Sequence, residues 1–238
     1  MKILAIECSA TACSVAILDN EKIIASGYIN VKLTHSQTLM PIAESMLKAS
    51  MTDLSEIEGF AVSAGPGSFT GIRIGISAVK GLAAPKNLPC VGVSTLRAMA
   101  ENYNDTDCII CAVMDARCNQ VYNALFDISG GKITRLCEDR ALMCDELAEN
   151  IKNMSQNSEK RVIIVGDGAE IFYPFVKGIE NVVISSPSRR FQNAVGVGTA
   201  AITDFENNSY QSPEELLPVY LRLPQAEREL KLKKEQGK

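Results

Sequence analysis

The densest run of chemistry-capable residues is Gly65-Pro66-Gly67-Ser68-Phe69-Thr70-Gly71-Ile72-Arg73-Ile74-Gly75. It leaves an apolar strand-like run and opens a helical one. Closely spaced glycines let the backbone approach a neighbour or a ligand, and Ser68 and Thr70 are both suited to cap the helix that follows. A helix start among small residues can hold an anion on its free N–H groups. The Gly-Lys-Ser/Thr ending of a Walker A loop is absent, and the glycine spacing is not that of a dinucleotide fingerprint. A phosphate cradle and a tight structural turn therefore fit the segment equally well. Two carboxylates stand at comparable turns, Glu7 with Ser9 behind the first apolar run and Asp115 behind a later one. Acids so placed can hold a magnesium nucleotide or activate a hydroxyl, and they are also ordinary turn formers. Glu7, Ser9, Gly65, Gly67, Ser68, Thr70 and Asp115 are thus the candidate nucleotide- or anion-binding set. Phe69, a large ring at an otherwise small-residue turn, suits a protein contact if exposed.

The chain has one histidine, His35, and eight cysteines. A single His followed by Ser36, Gln37 and Thr38 cannot supply the two imidazoles, four apart, that hold a metal on one helix face. No nucleophile–base constellation accompanies it, so serine- or cysteine-histidine catalysis has no support. The expectation is no metal and no catalytic residue, with His35 as a helix-start or interface hydrogen-bonding group. The cysteines at 8, 13, 90, 108, 111, 118, 137 and 144 fall mostly in apolar runs and read as reduced core thiols. Cys108 and Cys111 have CxxC spacing, but residues three apart on a strand point to opposite faces.

These residues must be positioned by a repeated layout. Residues 2–7, 13–18 and 22–30 read as three strands joined by small polar turns, and 108–114, 121–126 and 132–137 repeat the pattern. Glu7 and Asp19 are 12 positions apart, as are Asp115 and Asp127. Each meander leads into alternating helices and strands. In the first half these are a helix at 36–50, a strand at 58–64, a helix at 70–84, a strand at 89–93 and a helix at 95–103. In the second they are a helix at 145–153, a strand at 161–166, a helix at 169–177, a strand at 181–185 and a helix at 191–206. A duplicated βββαβαβα order predicts two α/β lobes with mixed sheets, residues 1–105 and 106–210, followed by a C-terminal segment and polar tail at 211–238. From Arg222 to Lys238 that tail carries six Lys or Arg and three Glu, either a solvated end or a docking segment.

Composition narrows the function classes. Apolar residues make up 46% and charged residues 22%, enough for a real core. The net charge of −4 leaves no basic field to grip a nucleic acid unaided, so in a nucleic-acid pathway another subunit does the gripping. Neither a secretory leader nor an 18-residue apolar span is expected, which favours a cytoplasmic protein without membrane contact.

Five ordered blocks carry a family resemblance. Gly65 to Gly75 resembles GPGSFTGLRIG, Ile3 to Ser9 resembles ILAIDTS, and His35 to Pro41 resembles HSxxLxP. Asp115-Ala116-Arg117 with Val121-Tyr122 resembles DARxxxVY, and Tyr220-Leu221-Arg222 matches YLR. These are the signatures of the bacterial TsaB (YeaZ-like) family of tRNA threonylcarbamoyladenosine biosynthesis; Glu7 and Cys8 depart from it, where Asp and Thr are usual. The resemblance implies an actin/Hsp70-like (ASKHA, RNase H-like) fold with a shortened second lobe. It implies a non-catalytic subunit for N6-threonylcarbamoyladenosine (t6A) formation at position 37 of tRNA. The partners implied are a catalytic TsaD-like subunit and a TsaE-like ATPase, with tRNA met only through the complex, and a homodimer through the same surface is a further expectation. No cofactor is expected to bind tightly, and ATP or ADP is expected at the subunit interface. The implied interface lies on the first-lobe helices and takes in His35, Leu39, Met40, Ala43, Met46, Leu47, Phe69, Arg73 and Ile76. Methionines on such a face suit either adaptable contacts or plain core packing. The alternative reading is an ATP-dependent small-molecule phosphotransferase of the same fold, and a metallopeptidase is disfavoured by the missing histidine pair.

Overall fold

The computed structural model describes residues 1–222; the polar tail beyond lies outside the described residues. Strands β1 (Lys2–Glu7), β2 (Cys13–Asp19) and β3 (Lys22–Ile29) form an antiparallel meander. Strand β4 (Gly59–Gly65) joins β1 in parallel and β5 (Cys90–Ser94) joins β4, giving the order β3-β2-β1-β4-β5. The connections supply helices α1 (His35–Ala49), α2 (Phe69–Ala83) and α3 (Thr95–Glu101). Every residue of β4 is buried, which is why its sequence is apolar or small without alternation.

The second half repeats this frame. Strands β6 (Cys108–Asp115), β7 (Gln120–Ser129) and β8 (Lys132–Arg135) form the meander, with β9 (Arg140–Met143) added along β7. Then come α4 (Cys144–Asn157), β10 (Val162–Val165), α5 (Ala169–Phe172), β11 (Val182–Ile184), α6 (Pro187–Arg190) and α7 (Ala194–Glu206). The order β11-β10-β6-β7-β8 is the first sheet's order read from its other end, so the duplication and the actin/Hsp70-like class both hold. The shortening falls on strands and on one helix: β8, β10 and β11 span four, four and three residues against eight, seven and five for β3, β4 and β5. Where the sequence predicts a helix over 169–177, α5 spans four residues and passes into a single 3-10 turn at Tyr173–Phe175, with Pro174 inside it.

The helices do not stay with their own halves. Helices α1 and α2 cover one face of the first sheet, where Leu39, Ile42, Ile72 and Val79 meet Leu4, Ile6, Val15 and Phe60. Its other face is covered by α7, whose Val197, Ala200, Ala201 and Phe205 pack on Ile3, Ala5, Ala16 and Leu18. Helix α3 in turn gives Leu96, Met99 and Ala100 to the second sheet's core beside Ile110, Ala112 and Phe126. Helix α7, from residues 106–210, thus packs on the first sheet, and α3, from residues 1–105, on the second. Arg97 ties the pair together. Its Nη1 meets both carboxylate oxygens of Asp204 at 2.8 Å, and its Nη2 donates to the Ala200 carbonyl at 3.0 Å.

The segment after α7 also bridges. Gln211 and Cys90 exchange backbone hydrogen bonds at 2.9 Å, Leu216 is buried in the first core, and Arg222 donates to the Ala116 carbonyl at 2.6 Å. Its described part is thus a strap across both lobes rather than a separate end. Cys108 and Cys111 lie in different core clusters, as their strand spacing predicts. Of the eight free cysteines six are buried, Cys137 is half-buried and Cys118 is exposed. Asp204→Ala should lower the unfolding free energy by about 1.5–3 kcal/mol in a urea titration, because a charge-assisted pair between the exchanged helices is lost.

Candidate functional site

The two meander turns face each other across an interlobe cleft of about 430 Å³. One wall is the β1–β2 turn, Ser9 to Thr11, with the loop Gly67 to Thr70. The other is the β6–β7 turn, Met114 to Arg117, with Tyr122 and Asp167. Of the seven predicted nucleotide- or anion-binding residues, Ser9, Gly67, Ser68, Thr70 and Asp115 line this cleft. Glu7 and Gly65 do not.

Glu7 is fully buried beneath the turn, and its Oε1 accepts the Ser9 amide at 2.5 Å. Burial pushes its carboxyl up from the ordinary value, against the opposing pull of hydrogen bonds to the carboxylate. It braces the turn from below, with its Oε2 buried and without a hydrogen-bond partner among the described residues. Gly65 ends β4 with φ +131°, and a Cβ there would stand 2.3 Å from the Val219 carbonyl oxygen, so it serves the strap. Ser68 caps α2, accepting from the Gly71 amide at 3.3 Å, and its own amide donates to the Ser9 carbonyl at 2.7 Å. Thr70, the other expected cap, sits inside the helix with its side chain exposed. Gly71 lets α2 press on the hairpin turn, since a Cβ there would lie 2.0 Å from the Cys8 carbonyl oxygen.

Asp167 was not singled out from the sequence. The signal was Gly166-Asp167-Gly168 directly after a predicted strand, the same acid-at-strand-end placement as Asp115. Burial pushes its carboxyl up, and it accepts from Gln192 Nε2 at 2.7 Å. Asp115 accepts the Arg117 amide at 2.7 Å. The cleft thus has two carboxyls against one cation, Arg117, among its lining residues. Arg117 Nη1 is already paired with Asp115 Oδ2 at 3.4 Å, so no other cation among the lining residues faces a free phosphate.

The predicted interface set divides. Leu39, Ala43 and Ile76 are corrections: they are 1%, 2% and 4% exposed and belong to the first core, because α1 and α2 turn these residues onto the sheet. Met46 and Leu47 are half-buried at the core's edge, and Met40 is 47% exposed. Phe69 is half-buried and stacked on Tyr220, ring centres 4.3 Å apart, with Arg73 Nε donating to the Tyr220 hydroxyl at 2.7 Å. That ring fixes the strap to α2. His35 is half-buried at the start of α1, with Nε2 on the Ala10 carbonyl at 2.8 Å.

Comparison places this architecture in a defined class. The family model "TsaD: tRNA N6-adenosine threonylcarbamoyltransferase" matches residues 30–229. The tRNA threonylcarbamoyladenosine biosynthesis protein TsaB of Escherichia coli K12 is 32% identical over 93% of this chain and 95% of its own length. The Bacillus subtilis protein of the same description is 29% identical over 75% of this chain and 76% of its own. The solved YeaZ of Pseudomonas aeruginosa superposes with a TM-score of 0.79 at 26% identity, covering 92% of this chain and 99% of that one. The chain belongs to the TsaB family, within the wider threonylcarbamoyltransferase family.

Two outcomes check this description. Gly71→Ala should cost about 1–3 kcal/mol of stability in denaturant unfolding, because α2 must move off the turn. Glu7 is an acid whose folded value lies above its unfolded one, so its ionisation penalises the folded state as pH rises past 4.5. Glu7→Gln should therefore be more stable than the parent at neutral pH, and the gain should vanish below about pH 4, measured by unfolding across that range.

Proposed function

We propose that this chain is a non-catalytic subunit of t6A biosynthesis that docks on a TsaD-like catalytic relative and holds it in a productive state. The observation that carries this reading is an apolar face where an isolated lobe should be polar. Tyr28, Ile29, Val31, Leu33 and Met40 are each at least 37% exposed on edge strand β3, the following loop and α1. Between β3 and α1 runs a groove of about 430 Å³ lined by Gly27, Tyr28, Ile29, Pro41, Ile42 and Met46. Strand edges and apolar grooves of this kind are sites of protein association. In the absence of the relative, the same face pairs two copies of the chain.

The non-catalytic part of the proposal rests on the sealed Glu7. An enzyme of this fold that transfers phosphate needs an open acid at the first turn, and here that acid is locked under it. ATP or ADP is proposed to enter with a cation at the cleft, beside Asp115 and Asp167, once the partner completes the site. A TsaE-like ATPase then acts on the pair, and tRNA is held by the partner. No helix among the described residues is long and apolar enough to cross a membrane, in keeping with work on a cytoplasmic substrate.

Reconstitution tests the proposal. Adenosine-37 modification by a TsaD-like subunit with a TsaE-like ATPase should fall more than about tenfold when this chain is left out. Tyr28→Asp or Met40→Asp should weaken binding to that subunit by at least about tenfold. Full-rate modification without the chain would contradict the reading. Tight binding of magnesium ATP to the lone chain, with turnover, would favour the phosphotransferase instead.

A further inference from the structure

Cys8 and Cys13 stand one step beyond the last rung of the β1–β2 ladder, where Glu7 pairs with Ser14. Their sulfurs are 3.7 Å apart. The donor atoms of Cys8, Cys13 and His35 all lie within 4.8 Å of one another. Three chain segments thus converge: both ends of the first hairpin turn and the start of α1. Both thiols are at most 2% exposed, in a core that includes Leu39, Ile42 and Ile72.

The imidazole is prepared in a specific way. Its Nε2 is 2.8 Å from the Ala10 carbonyl, an acceptor only, so Nε2 carries the proton in the neutral ring. Nδ1 is then the lone-pair nitrogen, and it is buried with no hydrogen-bond partner. A ring nitrogen donated to a backbone carbonyl while the other is left as a lone pair is the usual arrangement behind a metal-ligating histidine. The sulfurs fit too. Two thiolates on one tetrahedral Zn²⁺, each at about 2.3 Å, stand about 3.8 Å apart.

Charge favours the same reading. A thiolate in an apolar core needs a positive partner, which a bound cation supplies. Two thiolates neutralise a divalent ion fully, and the two thiol protons leave to solvent on binding.

We propose that Cys8, Cys13 and His35 form a three-ligand site for a thiophilic d¹⁰ ion, Zn²⁺ or Cu⁺, that clamps the first hairpin turn to α1. The site does not depend on the docking function and adds no chemistry to it. It lies behind Gly71 and Ser9, so its occupancy stiffens the wall of the interlobe cleft.

The full-length chain, reduced and stripped of metal, is titrated with Zn²⁺ and separately with Cu⁺ against a chromophoric chelator. Co²⁺ serves as the spectroscopic probe in a third arm. The parent chain and the exposed-cysteine control Cys118→Ser should each take up one equivalent and show a thiolate-to-cobalt charge-transfer band. Cys8→Thr and Cys13→Ser should bind more than about tenfold more weakly and lose the band. Cys8→Thr carries the residue usual in the family and keeps the test valid if Cys13→Ser fails to fold. Absence of stoichiometric uptake by the folded parent, or parent-like uptake by either folded variant, overturns the proposal.

Discussion

The close approach of α2 to the β1–β2 turn is the constraint on which the rest of the structure depends. Gly71 brings the helix against the Cys8 carbonyl, and the Ser68 amide is bonded to the Ser9 carbonyl. With the turn held from above, Glu7 is sealed beneath it and spends its carboxylate on the Ser9 amide. A buried acid in that place is a brace.

In the proposed reading the functional weight falls on a surface. The cleft keeps Asp115 and Asp167, with Arg117 the one cation among its described lining residues. The β3–α1 face, by contrast, exposes aromatic and aliphatic side chains beside an unpaired strand edge. Family membership, a cleft short of positive charge and an apolar edge all point the same way. Leu216, Val219 and Tyr220 pin the strap to the first lobe, and Arg222 carries it to the Ala116 carbonyl of the second.

Much of this was legible in the sequence. Period-two and continuous apolar runs located the two meanders, and the repeated acid spacing revealed the duplication. Ser68 as a cap followed from its place before a helical run. What the sequence could not supply was partnership. Amphipathicity states that a helix face is buried, not against which sheet, so the exchange of α3 and α7 between lobes was invisible. Leu39, Ala43 and Ile76 entered the interface set through the family resemblance, which names a helix pair and not the face each residue takes, and they point inward. Strand β9 is four residues long with alternating half-exposed positions and leaves almost no signal. The Cys8–Cys13–His35 cluster was missed because counting histidines tests one helix face, whereas these donors meet from three segments. Asp167 was missed although its strand-end position matched that of Asp115.

Hydrogen–deuterium exchange on the chain, alone and mixed with its TsaD-like relative, tests the docking claim most directly. The account expects strong new protection of amides in residues 22–46, covering β3 and the first turns of α1, with the far sheet edge at β11 unchanged. Unaltered exchange across 22–46 in a mixture that forms a complex would show that the partner binds elsewhere, and the account would be wrong.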